Sequence, residues 1–323
     1  MPQITFMEAI QEAIREEMIN DSRVFVMGED IEVTMRNGDA RREFGARRIR
    51  NTPISEAGFV GVGIGAALTG LRPVVEVGVS TFLYSAMDQI VNQAAKSRYM
   101  FGGQASVPLV IRSLVMYSIS MAAHHSDRPW GLFAQCPGLK IVVPATPYDA
   151  KGLLKAAIRD DNPVLCLEDC TLFGQRGEVP EEDYTVPIGV ADIKRMGTDV
   201  TVVAVAAAVG HSLAAAETLE SEGISAEVID VRCVAPLDRG TIIESVLKTG
   251  RLVVVDPAPA SCGLAAEVAS AVAEKTFGRL RAPVLRVTAP NLPVPFSAHL
   301  ERLMYPTAQT IVRAAQQLCV SRA

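Results

Sequence analysis

Short apolar runs alternate with amphipathic stretches along almost the whole chain. Residues 24–29 (VFVMGE), 73–79 (PVVEVGV), 108–113 (PLVIRS), 140–145 (KIVVPA) and 164–168 (VLCLE) are rich in Val, Ile and Leu. Runs of that length and composition predict strands buried on both faces. Between them, apolar positions recur at helical spacing over 5–20, 58–69, 86–99 and 147–159. The last of these carries start signals: Thr146 as N-cap, Pro147 at the first helical position and Asp149 in the first turn. Strands separated by helices predict an α/β fold, a mostly parallel sheet with helices on both faces.

The texture changes at 174–189 (GQRGEVPEEDYTVPIG), which is polar, acidic and bears Pro and Gly. It reads as a linker. A second alternation follows, with strands at 200–210, 226–232, 251–256 and 284–289. Helices are expected up to 221, at 238–248, at 264–275 and from 307. Two α/β domains are therefore expected, 1–185 and 190–323, and 323 residues are enough for two cores.

Composition narrows the function. Apolar residues make up 49% and charged residues 21%, a globular balance. A net charge of −5 argues against nucleic acid or an anionic membrane as the main partner. No apolar run is long enough to span a bilayer. The opening stretch MPQITFMEAIQEAIREE is acidic and amphipathic, unlike a signal or transit peptide, so a cytoplasmic location is expected. Of six cysteines, the closest pair is Cys166 and Cys170, with no second pair and no histidine at finger spacing. Reduced core thiols are the better reading than a structural zinc site.

Four stretches carry candidate chemistry. Gly58, Gly61, Gly63 and Gly65 do not fit a dinucleotide loop, and small residues at that spacing suit a helix packed closely on a neighbour, as at a subunit interface. Glu56 precedes this nearly all-apolar helix and is expected to face a dry region. A plain helix-start glutamate stabilised by the dipole is the alternative. A carboxyl group kept dry holds its proton near neutral pH, as proton donation requires. Phe82 and Tyr84 are either core or an aromatic face for a flat heterocycle. His124 and His125, in SMAAHHSDRPW, are an active-site pair, a metal site or packed loop residues. Adjacent side chains of an extended segment point opposite ways, so at most one faces a given pocket. No G-x-S-x-G elbow supports a hydrolase.

Read in order, several blocks resemble the beta subunits of the thiamine-diphosphate-dependent 2-oxo acid dehydrogenases, of the pyruvate and acetoin type. These blocks are 28–30 (GED), 52–77 (TPISEAGFVGVGIGAALTGLRPVVEV), 88–104, 107–112, 125–126 (HS), 136–163, 222–232, 248–255 and 286–296. The resemblance implies a pyrimidine-binding domain followed by a transketolase-type C-terminal domain. It implies that Glu56 hydrogen-bonds a ring nitrogen of the cofactor's aminopyrimidine, that Glu29 and Phe82 also line the cofactor, and that His125 handles the substrate or the acyl acceptor. It implies a potassium site at Leu109, Ala157, Asp160 and Asn162, built partly from backbone carbonyls. The glycine-aspartate-glycine diphosphate motif of thiamine enzymes is missing, since NGDAR (37–41) lacks the second glycine. The family's alpha subunit holds the diphosphate and Mg²⁺, which implies an α2β2 heterotetramer with the cofactor between subunits.

Departures from the family gather near the substrate. The usual glycine-rich run before the histidine is SLVMYSISMAA, the following glutamine position is Asp127, and a common histidine is Gln135. Gly78 replaces a bulkier residue, and the loop between Asp30 and Phe44 is short. Asp127, Arg128 and Gln135 are thus the expected specificity positions. The implied reaction is decarboxylation of a small 2-oxo acid, or cleavage of a ketol. The acyl or glycolyl unit then passes to a lipoyl domain or an acyl carrier protein. A two-chain transketolase and a catalytically decayed structural partner are the alternatives, and the presence of Glu56, Phe82 and His125 weighs against the second.

Overall fold

The computed structural model describes residues 1–31 and 38–320. Most of the short loop noted above, and Asn37 of the NGDAR stretch, lie outside the described residues. The chain forms two compact units. The first is Met1–Tyr117 with His125–Asp127 and Phe133–Ile188; the second is Ser118–His124 with Arg128–Leu132 and everything from Gly189.

The first unit holds strands β1 (Gln3–Thr5), β2 (Val24–Gly28), β3 (Ile49–Asn51), β4 (Arg72–Val79), β5 (Val110–Val115), β6 (Lys140–Val142), β7 (Val164–Asp169) and β8 (Arg176–Glu178). Six of them run in the order β6-β7-β5-β4-β2-β3, all parallel. β1 and β8 form a separate antiparallel ribbon. The helices are α1 (Phe6–Asn20), α2 (Gly38–Phe44), α3 (Glu56–Leu68), α4 (Ala95–Met100) and α5 (Pro147–Arg159). α1 starts on a capping box between Thr5 and Glu8, and α5 starts at Pro147 with Thr146 accepting from the Asp149 N–H. Gly28 ends β2 because a Cβ there would lie 2.2 Å from the Glu76 carbonyl oxygen. Gly63 lets α3 lie on β4, since its Cβ would fall 2.6 Å from Val75 Cγ2. Gly58, Val62, Gly65 and Leu68 of the same helix are exposed.

The stretch 86–99 is helical as expected, but it follows a 3₁₀ turn and contains a π-turn. Ser80–Ala86 is a 3₁₀ helix, Gln89–Ala94 a π-turn, and α4 begins at Ala95. Buried Ala86, Ile90 and Ala94 keep a spacing of four, which does not distinguish an α from a π turn.

α1 and α5 meet through ion pairs in which the two lysines are buried and most of their carboxylate partners partly exposed. Fully buried Lys155 binds Glu16 and Asp183, and buried Lys151 binds Glu12 at 3.0 Å and Glu16 at 2.7 Å. Arg159 binds Glu17 at 2.6 Å and Asp183 at 2.7 Å. Burial pushes the Glu16 carboxyl upward, but hydrogen bonds from Lys151 and Lys155 outweigh it and leave the pKa lowered. Arg159 and Lys155 bring Asp183 down to about 2. A carboxylate whose pKa is depressed by folding contributes stability above its ordinary value, near 4, and loses it as pH falls through the folded value. The urea midpoint is therefore expected to fall between about pH 4 and pH 2, and less steeply in Glu16→Gln/Asp183→Asn. Parallel curves for the two proteins would show that these pairs are not the titrating groups.

The second unit holds β9 (Asp192–Arg195), β10 (Val200–Ala204), β11 (Ala226–Asp230), β12 (Leu252–Pro259) and β13 (Leu285–Ala289), in the order β13-β12-β10-β11-β9. Only β9 is antiparallel to its neighbour. Helices α6 (Ala208–Ser221), α7 (Arg239–Thr249), α8 (Leu264–Lys275) and α9 (Ala308–Val320) cover it. The strand expected over 200–210 stops at Ala204 because Ala206 turns the chain with φ +54°. All six cysteines are free thiols. No helix among the described residues is long and apolar enough to cross a membrane.

Candidate active site

In parallel α/β sheets, ligands bind outside the carboxyl ends of the strands. In the first unit those ends deliver chemistry: β2 runs into Glu29, β3 leads to Glu56 and β4 into Ser80–Ala86, against which α3 packs.

Glu56 is the first residue of α3 and is half-buried. The dry setting expected of it is not made by its own chain. It shares the helix face of Val60, Gly63 and Ala67, but comes a turn before they reach the core. Glu29 is a carboxyl group with a raised pKa in this region. Burial raises its pKa, the charges of Glu56 and Asp30 add to this, and the Ser55 N–H opposes it. Its Oε1 is buried and accepts no hydrogen bond among the described residues.

The 3₁₀ turn grips the histidine segment at three alternate positions. Ser80 Oγ donates to the Asp127 carbonyl at 2.7 Å, the Phe82 ring meets the His125 ring edge-on at 5.6 Å, and Tyr84 Oη donates to Asp127 Oδ2 at 2.9 Å. His125 is half-buried and His124 exposed. The two histidines lie in a helical turn, Ala122–His125, and not in an extended segment. Successive side chains on a helix diverge by about 100°, so one of them still faces away. Gln135 is exposed just after the turn Trp130–Ala134.

Arg128 belongs to the second unit, whereas Asp127 belongs to the first. It is buried, donates to Tyr305 Oη at 3.0 Å and lies 4.8 Å from that ring's centroid. Nearby Asp256 is pushed up to about 6 by burial, against the Ala258 and Ala265 N–H groups, Arg128 and Trp130.

Sequence reasoning missed how the run before His125 is held. Ser118, Ser120 and Ala122 take left-handed φ values of 62°, 60° and 58°. That conformation costs a non-glycine residue about 1–2 kcal/mol. The Ser118 and Ser120 N–H groups donate to the two oxygens of buried Glu301 at 2.7 and 2.8 Å, within the second unit. Charge-assisted bonds of this kind offset the strain. The glycine habit of the family at this run was the available signal.

At the four residues expected to hold potassium, several oxygens accept hydrogen bonds. The Leu109 carbonyl accepts from Val164 N, and the Ala157 carbonyl from Asp160 N. The Asp160 carbonyl accepts from Arg72 at 3.0 Å, its carboxylate pairs with Lys140, and Asn162 Oδ1 accepts from Arg98 at 3.0 Å. Three side-chain cations, Arg72, Lys140 and Arg98, donate to this cluster.

Comparison with known proteins agrees with this layout. The transketolase pyrimidine-binding domain matches residues 2–173 and the transketolase C-terminal domain residues 189–311. The chain is 45% identical to the acetoin:2,6-dichlorophenolindophenol oxidoreductase subunit beta of Bacillus subtilis, covering 98% of this chain and 97% of that one. It is 44% identical to the pyruvate dehydrogenase E1 component subunit beta of the same organism, covering 98% and 99%. Its fold matches a split-gene transketolase, solved as an inactive beta4 tetramer, with a TM-score of 0.82, 25% identity, and coverage of 99% and 100%. The chain therefore belongs to the beta subunits of the thiamine-diphosphate-dependent pyruvate and acetoin dehydrogenase type, built from transketolase pyrimidine-binding and C-terminal domains.

Proposed function

We propose that this chain is the beta subunit of a two-subunit enzyme that decarboxylates a small 2-oxo acid, or cleaves a ketol, and passes the acyl or glycolyl unit to a lipoyl domain or an acyl carrier protein. The observation that carries the reading is the edge-on contact of Phe82 with His125, on a turn packed against the helix that begins at Glu56. Residues 1–185 form the cofactor's pyrimidine-binding domain and 190–323 the C-terminal domain. The assembly is an α2β2 heterotetramer in the cytoplasm. Its alpha subunit holds the diphosphate and Mg²⁺, and Leu109, Ala157, Asp160 and Asn162 are the candidate potassium ligands.

The residues present fit the pyrimidine end of thiamine diphosphate. The unpartnered Glu29 Oε1 and half-covered Glu56 offer hydrogen-bonding oxygens to a nitrogen heterocycle, and Phe82 offers it an apolar face. When bound, the group supplies a carbon nucleophile and an electron sink. Glu56 holds a proton at a ring nitrogen of the pyrimidine. Glu29 lies within its electrostatic reach, its own pKa raised by burial and by the charges of Glu56 and Asp30. Phe82 excludes water, and His125 moves a proton to and from the substrate oxygen.

The test is co-expression with its alpha-type partner and measurement of CO₂ release from pyruvate, branched 2-oxo acids and hydroxypyruvate, with thiamine diphosphate and Mg²⁺. Release that requires both chains and the cofactor is the expected result. The likeness to a split-gene transketolase supports a second reading, ketol transfer without decarboxylation. Carbon transfer from a ketose phosphate with no CO₂ from any acid would favour it.

A further inference from the structure

Asp127 is tethered twice to the turn that bears Phe82. Its main-chain carbonyl accepts from Ser80 Oγ and its Oδ2 from Tyr84 Oη, while Oδ1 accepts no hydrogen bond among the described residues. It lies two residues from His125, whose ring touches Phe82. An ionised carboxylate only accepts hydrogen bonds. With one oxygen fixed by Tyr84, the other is an oriented acceptor beside the reacting groups proposed above.

We propose that Asp127, positioned by Tyr84, accepts a hydrogen bond from a hydroxyl on the donor carbon next to the carbonyl. The donor class is then a hydroxylated 2-oxo acid or ketol, and not an alkyl 2-oxo acid. This rests on the function proposed above and names the substrate class of the same site. A methyl or larger alkyl group at that position faces a carboxylate oxygen that has to give up water without replacement. A hydroxyl donates to it. A hydrogen bond to a charged group is worth about ten- to a hundredfold in relative kcat/KM. Tyr84 is a positioning residue: its hydroxyl keeps Oδ2 occupied and turns Oδ1 to one place.

The experiment compares kcat/KM for CO₂ release from hydroxypyruvate and from pyruvate, using the assembled two-subunit enzyme. The chains are the natural one, Asp127→Leu, Asp127→Asn and Tyr84→Phe. The natural enzyme is expected to favour hydroxypyruvate by about tenfold or more. Asp127→Leu should abolish that ratio. Asp127→Asn, which keeps an acceptor oxygen, should retain most of it, and Tyr84→Phe should lose part of it. Poor assembly of a variant lowers both rates and leaves the ratio, so the ratio separates specificity from folding. A preference for pyruvate, or a ratio unmoved by Asp127→Leu, overturns the proposal while the decarboxylase reading stands. An enzyme that binds thiamine diphosphate but releases CO₂ from no acid overturns that reading, and this one with it.

Discussion

Glu56→Gln is expected to lower CO₂ release by the assembled enzyme about 10²- to 10⁴-fold, the usual worth of a positioned proton donor. The substitution is nearly isosteric. Glu56 sits at the first position of α3, half-exposed, and Ser55 caps that helix without a side-chain hydrogen bond. Loss of the helix-dipole interaction costs about 0.3–1 kcal/mol, too little to unfold the chain. It also removes a like charge that helps raise the Glu29 pKa, so Glu29 should ionise more readily in the variant. Rate and thermal midpoint measured together decide the matter. A rate within tenfold of the natural enzyme, with the midpoint unchanged, would remove Glu56 from the proton path.

Arg112→Ala is expected to cost about 3–5 kcal/mol of stability. Arg112 projects from central strand β5 between Glu168 on β7 and Glu76 on β4, and all three are buried. Its Nε and Nη2 each donate to Glu168 at 2.7 Å, a bidentate pair, and Nη1 donates to Glu76 at 3.1 Å. The two carboxylates raise the guanidinium's pKa despite the burial that opposes it. Alanine leaves two buried carboxylates without their cation, and each has to hold a proton or draw in water. The urea midpoint of the variant should therefore recover as pH falls towards 5, where the natural protein gains nothing from these groups. Replacing all three side chains by apolar residues of similar volume should cost less than removing Arg112 alone. Equal losses in the single and triple variants would mean that packing, and not charge, holds these strands.

The elements were legible because apolar runs and helical spacing are local properties. The reading of 147–159 as a helix matches α5 residue for residue, since Thr146 and Pro147 are start signals that act within one turn. Within 86–99, helical as read, the π-turn was not legible, because its burial spacing is one that α and π turns share. Phe82 and His125 were each visible as candidates, and Asp127 as a departure from the family. Their contact was not, because 43 residues separate Phe82 from His125 and no periodicity spans that distance.

By itself the sequence determined the α/β class, the strand-helix alternation and the short set of residues able to do chemistry. Each follows from side-chain type at near-neighbour spacing. Tertiary structure alone decided how those residues are used. It assigned Arg128 to Tyr305 and Asp127 to Tyr84, although the two are neighbours in the chain. It raised the pKa of Glu29 through burial and the charges of Glu56 and Asp30. It placed Lys140, Arg72 and Arg98 against Asp160 and Asn162 of the expected cation site. Burial and charge act through space, and the distances that set them exist only once the strands have paired.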